Sequence, residues 1–212
     1  MMDYIYEDEM KNLFIEGTVP DKNEAPRYIE MLRRVKSYEV LMFLAKQEKL
    51  PEIKSINIPQ FSNIDDLNGV LDIVYSTDNI AFEDIGYYFY PESKLHAQWK
   101  YGENHYKMAA LLGLTSWDKP YRVTDFGVEY MKIPKRERDE IRNKLIWRVP
   151  IVQQIMVKSL SNELKPIDVL AQYLALSTAR RRHSNVHVMV DLLVDSLETD
   201  VKVEITDNIK WK

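Results

Sequence analysis

The chain has 212 residues, enough for one large domain or two small ones, and its 45% apolar and 29% charged residues fit neither a disordered nor a fibrous protein. No apolar run approaches the roughly 18 to 20 residues of a bilayer-spanning helix, and the first nine residues are acidic where a secretory leader would begin basic, so a cytoplasmic, membrane-free protein is expected. There are no cysteines, which excludes disulfides, thiolate nucleophiles and Cys-built zinc sites, and the 6 glycines show neither phosphate-cradling spacing. The formal charge of -4 is uneven along the chain. Residues 1–93 carry 9 basic and 18 acidic side chains, 94–182 carry 17 and 9, and 183–212 carry 3 and 6. A central block of +8 in linear sequence is one that a polyanion could use, or that the acidic segments could neutralise by packing on it.

In chain order, residues 24–50 have helical apolar spacing through Tyr28, Met31, Leu32, Val35, Val40 and Leu44, with Pro26 in the first turn and Pro51 as terminator. Residues 54–61, with Ile56 and Ile58 alternating before Pro59, predict a short edge strand. Ser62, Asn63 and Asp65 are cap residues ahead of a helix through Leu67, Val70, Leu71 and Val74. Residues 82–89 predict a short helix, and residues 98–112 a longer one stopped by Gly113. In the longer helix Tyr101, His105, Met108 and Leu112 share one inward face. Residues 114–123, with Asp118-Lys119-Pro120 at the turn, predict a hairpin.

The same order then recurs. Helices are predicted over 150–160, over 166–174 with a leading Pro, and over 177–196 with Ser177 as cap. Ala179, His183, Val186, Val190 and Leu193 form the inward stripe of the last helix. Val201, Val203 and Ile205 alternate as a strand that Asp207-Asn208 turns into Lys210-Trp211. The pattern predicts a mainly α protein with small β-wings (α+β): an N-terminal helical and edge-strand segment (1–62), then two consecutive winged-helix units (63–133 and 134–212).

A helix that enters the major groove carries polar side chains near its N-terminal end. Ser177, Thr178, Arg180, Arg181, Arg182 and Asn185 occupy that place in the second unit. Arg can pair with guanine O6 and N7, and Asn with adenine N6 and N7. Three consecutive arginines sweep about 200° of helix, so at least one must meet phosphate rather than bases. The plain alternative is a solvated basic turn. In the first unit the equivalent residues are Gln98, Lys100, Asn104 and Lys107, with Lys119, Tyr121 and Arg122 on the wing; Glu103 interrupts this face. The basic residues of 132–148 alternate with Glu137, Asp139 and Glu140 at ion-pair spacing and read as a solvated helix.

Chemistry has thinner support. His183 and His187 have metal-compatible spacing but no third ligand, and His183, like His105, reads as a core histidine. Asp84 with Glu92 and Lys94 has the residue types of a Mg-dependent nuclease site, in a segment predicted to be a loop rather than the strand such a site uses. Tyr87, Tyr88 and Tyr90 could instead form a protein-binding surface.

Two motifs carry a family resemblance. Residues 101–114, YGENHYKMAALLGL, followed by Tyr121-Arg-Val-Thr-Asp-Phe-Gly, resemble the winged-helix modules of type II restriction endonucleases and related DNA-recognition proteins. Leu176-Ser-Thr-Ala-Arg-Arg-Arg-His-Ser-Asn-Val resembles the second such module, and together the likeness spans about residues 64–196. The resemblance implies double-stranded DNA as ligand and Arg180, Arg181 and Arg182 as contacts. It also implies a nuclease domain, for which the acidic N-terminal third is too short. The expectation is therefore a DNA-recognition component of a restriction or defence system without chemistry or cofactor of its own, working with a separate nuclease or other chain; a homodimer is compatible with the sequence. The alternatives are a small Mg-dependent endonuclease using Asp84, Glu92 and Lys94, or a winged-helix transcriptional regulator.

Overall fold

A computed structural model of the chain describes residues 6–60, 63–197, 199 and 201–212. The chain is mainly helical: α1 (Glu7–Met10, running into a π-turn over Lys11–Ile15), α2 (Ala25–Arg34), α3 (Ser37–Ala45), α4 (Leu67–Ser76), α5 (Phe82–Phe89), α6 (Leu95–Leu111), α7 (Asp125–Met131), α8 (Lys135–Leu145), α9 (Pro150–Ser159), α10 (Pro166–Leu170) and α11 (Leu176–Asp195), with β1 (Val203–Ile205) and β2 (Ile209–Trp211) as a two-stranded antiparallel sheet.

The helix expected over 24–50 is two helices, because Lys36 is extended (φ -79°, ψ 145°). Its N–H donates to Glu39 Oε2 at 2.8 Å, which caps α3 and lets apolar periodicity run across a break. The expected strand over 54–61 is instead a 3₁₀ turn at Ser55–Asn57. Ile56 is exposed and Ile58 fully buried, whereas a strand would have put both on one face. Phe61 and Ser62, the end of that strand and the first expected cap residue, lie outside the described residues.

Two compact units form. One contains residues 1–18, 30–62 and 135–212; the other contains 19–29 and 63–134. In the first, α9, α10 and α11 pack together, and α3 and α8 also contribute, around Trp147, Ile151, Ile155, Val186, Met189 and Leu193, all fully buried. The N-terminal residues join this unit: Gln153 Nε2 donates to the Phe14 carbonyl at 2.7 Å, and Arg148 donates to the carbonyls of Leu13, Gly17 and Thr18. The sheet pairs Val203 with Trp211 and Ile205 with Ile209. Leu164, just before α10, bridges antiparallel to Ile209, so β2 lies between β1 and Leu164.

In the second unit α5 and α6 meet backbone to backbone at two glycines. A Cβ on Gly86 would lie 1.8 Å from the Gln98 carbonyl oxygen, and one on Gly102 would lie 1.7 Å from that of Phe82. Gly113, at φ +79°, ends α6: Leu114 N–H donates to Ala109 and Gly113 N–H to Ala110, the Schellman pattern that satisfies the last carbonyls. The hairpin expected over 114–123 contracts to one antiparallel bridge, Thr115 to Val123, around a cis Lys119–Pro120 peptide. Thr124 Oγ1 accepts from Gly127 N–H at 2.9 Å, capping α7, and donates to the Gly113 carbonyl at 2.8 Å.

Candidate nucleic-acid interface

Helix α11 begins after the extended Ala175 with no side-chain cap. Ser177, expected as that cap, lies in the first turn and is exposed. Ala179, Val186, Met189, Val190 and Leu193 are buried, which turns Arg180, Arg181 and Ser184 to solvent. Thr178 and Asn185 are half-buried beside them. Arg181 Nη2 donates to Thr178 Oγ1 at 3.2 Å, an i to i+3 contact that holds the guanidinium along the helix. Among the described residues neither Arg180 nor Arg181 forms an ion pair.

Arg182 has a different role. Its Nη1 donates to the Ile58 carbonyl at 2.5 Å. Burial, and secondarily the Arg181 charge, holds its pKa below the ordinary arginine value. The guanidinium therefore anchors the 54–60 segment and is not available to a ligand in this conformation.

His183, expected in the core, is half-buried instead. Its ring stacks on His187 at 5.7 Å with 21° between planes, and His187 Nε2 lies 3.7 Å from Asp191. Burial and then His187 lower the His183 pKa, while Asp207 acts in the opposite direction. His105 is buried as expected, with Nδ1 2.7 Å from the Tyr101 carbonyl and Nε2 3.0 Å from Asp66 Oδ2. Tyr101, expected beside it on the inward face, is 39% exposed.

The polar residues expected of α6 are largely engaged within the unit. Gln98 is buried and donates to the carbonyls of Tyr90 and Pro91, closing the turn between α5 and α6. Lys100 and Lys107 both bind Glu103, at 2.5 and 2.8 Å. Burial raises the Glu103 pKa, but hydrogen bonds from the two ammoniums outweigh it, and the net shift is below the ordinary value. Asn104 has its Oδ1 buried. Lys119 sits 5.6 Å from the Tyr121 ring, Tyr121 stacks on Phe82 at 4.7 Å, and Arg122 is exposed. Phe82, Trp99, Lys119 and Tyr121 line an open groove of about 750 Å³.

The residues of the nuclease alternative also have local roles. Asp84 Oδ2 accepts from Ala81 N–H at 2.9 Å and caps α5; Glu92 and Lys94 are exposed in the following turn. Among the described residues no group of three or more His, Cys, Asp or Glu is disposed to hold a metal ion. Tyr87 and Tyr88 are exposed, whereas Tyr90 is half-buried and its pKa is raised, first by burial and then by Asp66.

Charge is distributed differently between the units than along the sequence. The unit of 1–18, 30–62 and 135–212 holds 21 basic and 20 acidic residues, a net of +1; the unit of 19–29 and 63–134 holds 8 and 13, a net of -5. The linear block of +8 is divided, and each part folds with acidic segments from elsewhere. No described helix is long and apolar enough to cross a membrane. No family model, curated protein or solved structure matches the chain.

Proposed function

We propose that the chain binds double-stranded DNA, that α9, α10, α11 and the β1–β2 hairpin act as a winged helix, and that α11 enters the major groove. The observation that carries this reading is the pair Arg180 and Arg181: both are exposed near the start of a 20-residue helix and form no ion pair among the described residues. Support also comes from the order of elements: a helix, a bridging residue, two helices and a hairpin whose second strand lies centrally is the order expected of a winged helix. Arg181 reads a base edge, Arg180 meets phosphate, and Thr178, Ser177 and Asn185 supply secondary contacts.

The resemblance to restriction-type recognition modules supports sequence recognition in such a system as the physiological role, with cleavage supplied by another chain. The unit of 19–29 and 63–134, with its α6 lysines held by Glu103 and its net charge of -5, contributes Lys119, Tyr121 and Arg122 at most.

Selection from a random duplex pool, followed by titration with the selected site, tests the reading. Arg181→Ala should weaken binding by about 1 to 3 kcal/mol and relax preference at one base pair. Unchanged affinity and preference would remove Arg181 as the reader, and failure of the wild-type chain to retain any duplex would overturn the function.

A further inference from the structure

Beside the arginine pair, a small pocket of about 280 Å³ is lined by Lys165, Ile167, Arg180, His183 and Asp207. Three elements build it. Lys165 directly precedes α10 and follows the bridged Leu164; Arg180 and His183 are three apart on α11, hence on one face; Asp207 belongs to the turn between β1 and β2. Two permanent cations and one titratable ring thus converge on a space large enough for a tetrahedral anion, with one carboxylate on its rim. Sequence periodicity assigned His183 to the core, yet the ring borders this pocket, and Lys165 carried no role.

From this geometry we infer that the pocket takes one phosphodiester group of the DNA backbone, held by Lys165, Arg180 and His183, and that His183 gains a proton as the phosphate enters. The inference rests on the duplex-binding reading above. It adds residues and a pH dependence which that reading does not require. The groups that face or adjoin His183 are Arg180 and His187 on its own helix, Lys165 before α10, and Asp207 on the hairpin turn. In the free protein burial, and then the neighbouring His187, disfavour the imidazolium, while Asp207 favours it. A bound phosphate reverses the balance, because its negative charge occupies the space the three cationic groups share. Proton uptake then couples to binding, so affinity rises as pH falls.

Asp207 gives the sign of a second effect. It faces the proposed phosphate, and like charges at close range weaken anion binding.

The experiment is a duplex titration at pH 8 and pH 6 with one mixed-sequence DNA probe, using the full chain and the variants Lys165→Ala, His183→Gln, His187→Gln, Asp207→Asn and Arg181→Ala, each checked for native helix content. Wild type should bind about fivefold more tightly at pH 6 than at pH 8. His183→Gln should lose that difference and His187→Gln should keep it. Lys165→Ala should weaken binding and flatten the salt dependence by about one contact. Asp207→Asn should bind several-fold more tightly at pH 8, a gain that loss of structure cannot produce. If Lys165→Ala, His183→Gln and Asp207→Asn all match wild type while Arg181→Ala is impaired, the phosphate pocket is wrong and the duplex reading stands. If wild type binds no duplex at either pH, both fall.

Discussion

Arg180, Arg181 and Arg182 are adjacent in sequence, but the 100° advance per residue of a helix sends them to different environments. Two reach solvent; the third reaches a carbonyl 124 positions earlier in the chain. Nothing in the triplet itself distinguishes them, because the distinction is made by the turn at Ser55–Asn57 that presents the Ile58 carbonyl. Arg182→Ala should therefore lower stability, by about 1 to 2 kcal/mol for the lost charged hydrogen bond, while changing duplex affinity far less than Arg181→Ala. Chemical denaturation alongside a DNA titration checks this; loss of affinity with stability intact would return Arg182 to the interface. Arg148 follows the same logic more deeply: burial pushes its pKa down to about 10, and three backbone carbonyls compensate. Arg148→Met should destabilise its unit by about 2 kcal/mol or more, because those carbonyls lose their donor, as the shift in denaturation midpoint would report.

At the level of elements, the contact between α5 and α6 depends on Gly86 and Gly102. A methyl group at either would overlap a carbonyl oxygen that belongs to helix backbone and has no soft rotamer to yield. Gly102→Ala should cost about 3 kcal/mol or more and abolish the native fold of residues 63–134, read by loss of cooperative melting in that unit; a native-like melt would show that the helices can separate cheaply. Glu103 is the second support of α6. Its pKa is held down in the folded state, so its stabilisation is complete above the unfolded value of about 4.5 and fades as pH falls through the folded one. Glu103→Gln should lose about 1 kcal/mol at neutral pH and make the acid side of the stability profile shallower; an unaltered profile would mean that Lys100 and Lys107 act independently of it. Much of this level was legible in sequence: α5, α9 and the β1–β2 hairpin follow from apolar period, proline at helix starts and turn residues. The break at Lys36 and the single bridge at Thr115 were not, because a cap formed by Glu39 leaves the apolar period uninterrupted and a hairpin needs more than a turn signal. The glycine contacts were invisible because close approach depends on the opposing helix rather than on neighbours in the chain.

Across the molecule, the linear charge pattern overstates the field available to a polyanion. A block of +8 would support about six phosphate contacts, and with them a loss of roughly a thousandfold in affinity or more between 50 and 200 mM salt. Folding divides that block, and several of its cations find carboxylates: Lys107 meets Glu103 at 2.8 Å, Arg142 meets Asp139 at 3.2 Å and Lys144 meets Glu140 at 2.7 Å. What remains beside the start of α11 is Arg180, Arg181 and Lys165, with His183 joining when protonated. With Arg181 on a base edge, the two phosphate contacts of Arg180 and Lys165 correspond to a slope near -1.8 and a loss of about twelvefold over the same salt range. At pH 6 the third contact, from protonated His183, should steepen it to about fortyfold. Duplex titrations at several salt concentrations and both pH values measure these slopes directly. A slope at pH 8 nearer -5 would mean that cations outside the α11 face, such as those of α8, leave their carboxylates to bind DNA, and the compact footprint drawn around Arg180, Arg181 and Lys165 would be too small.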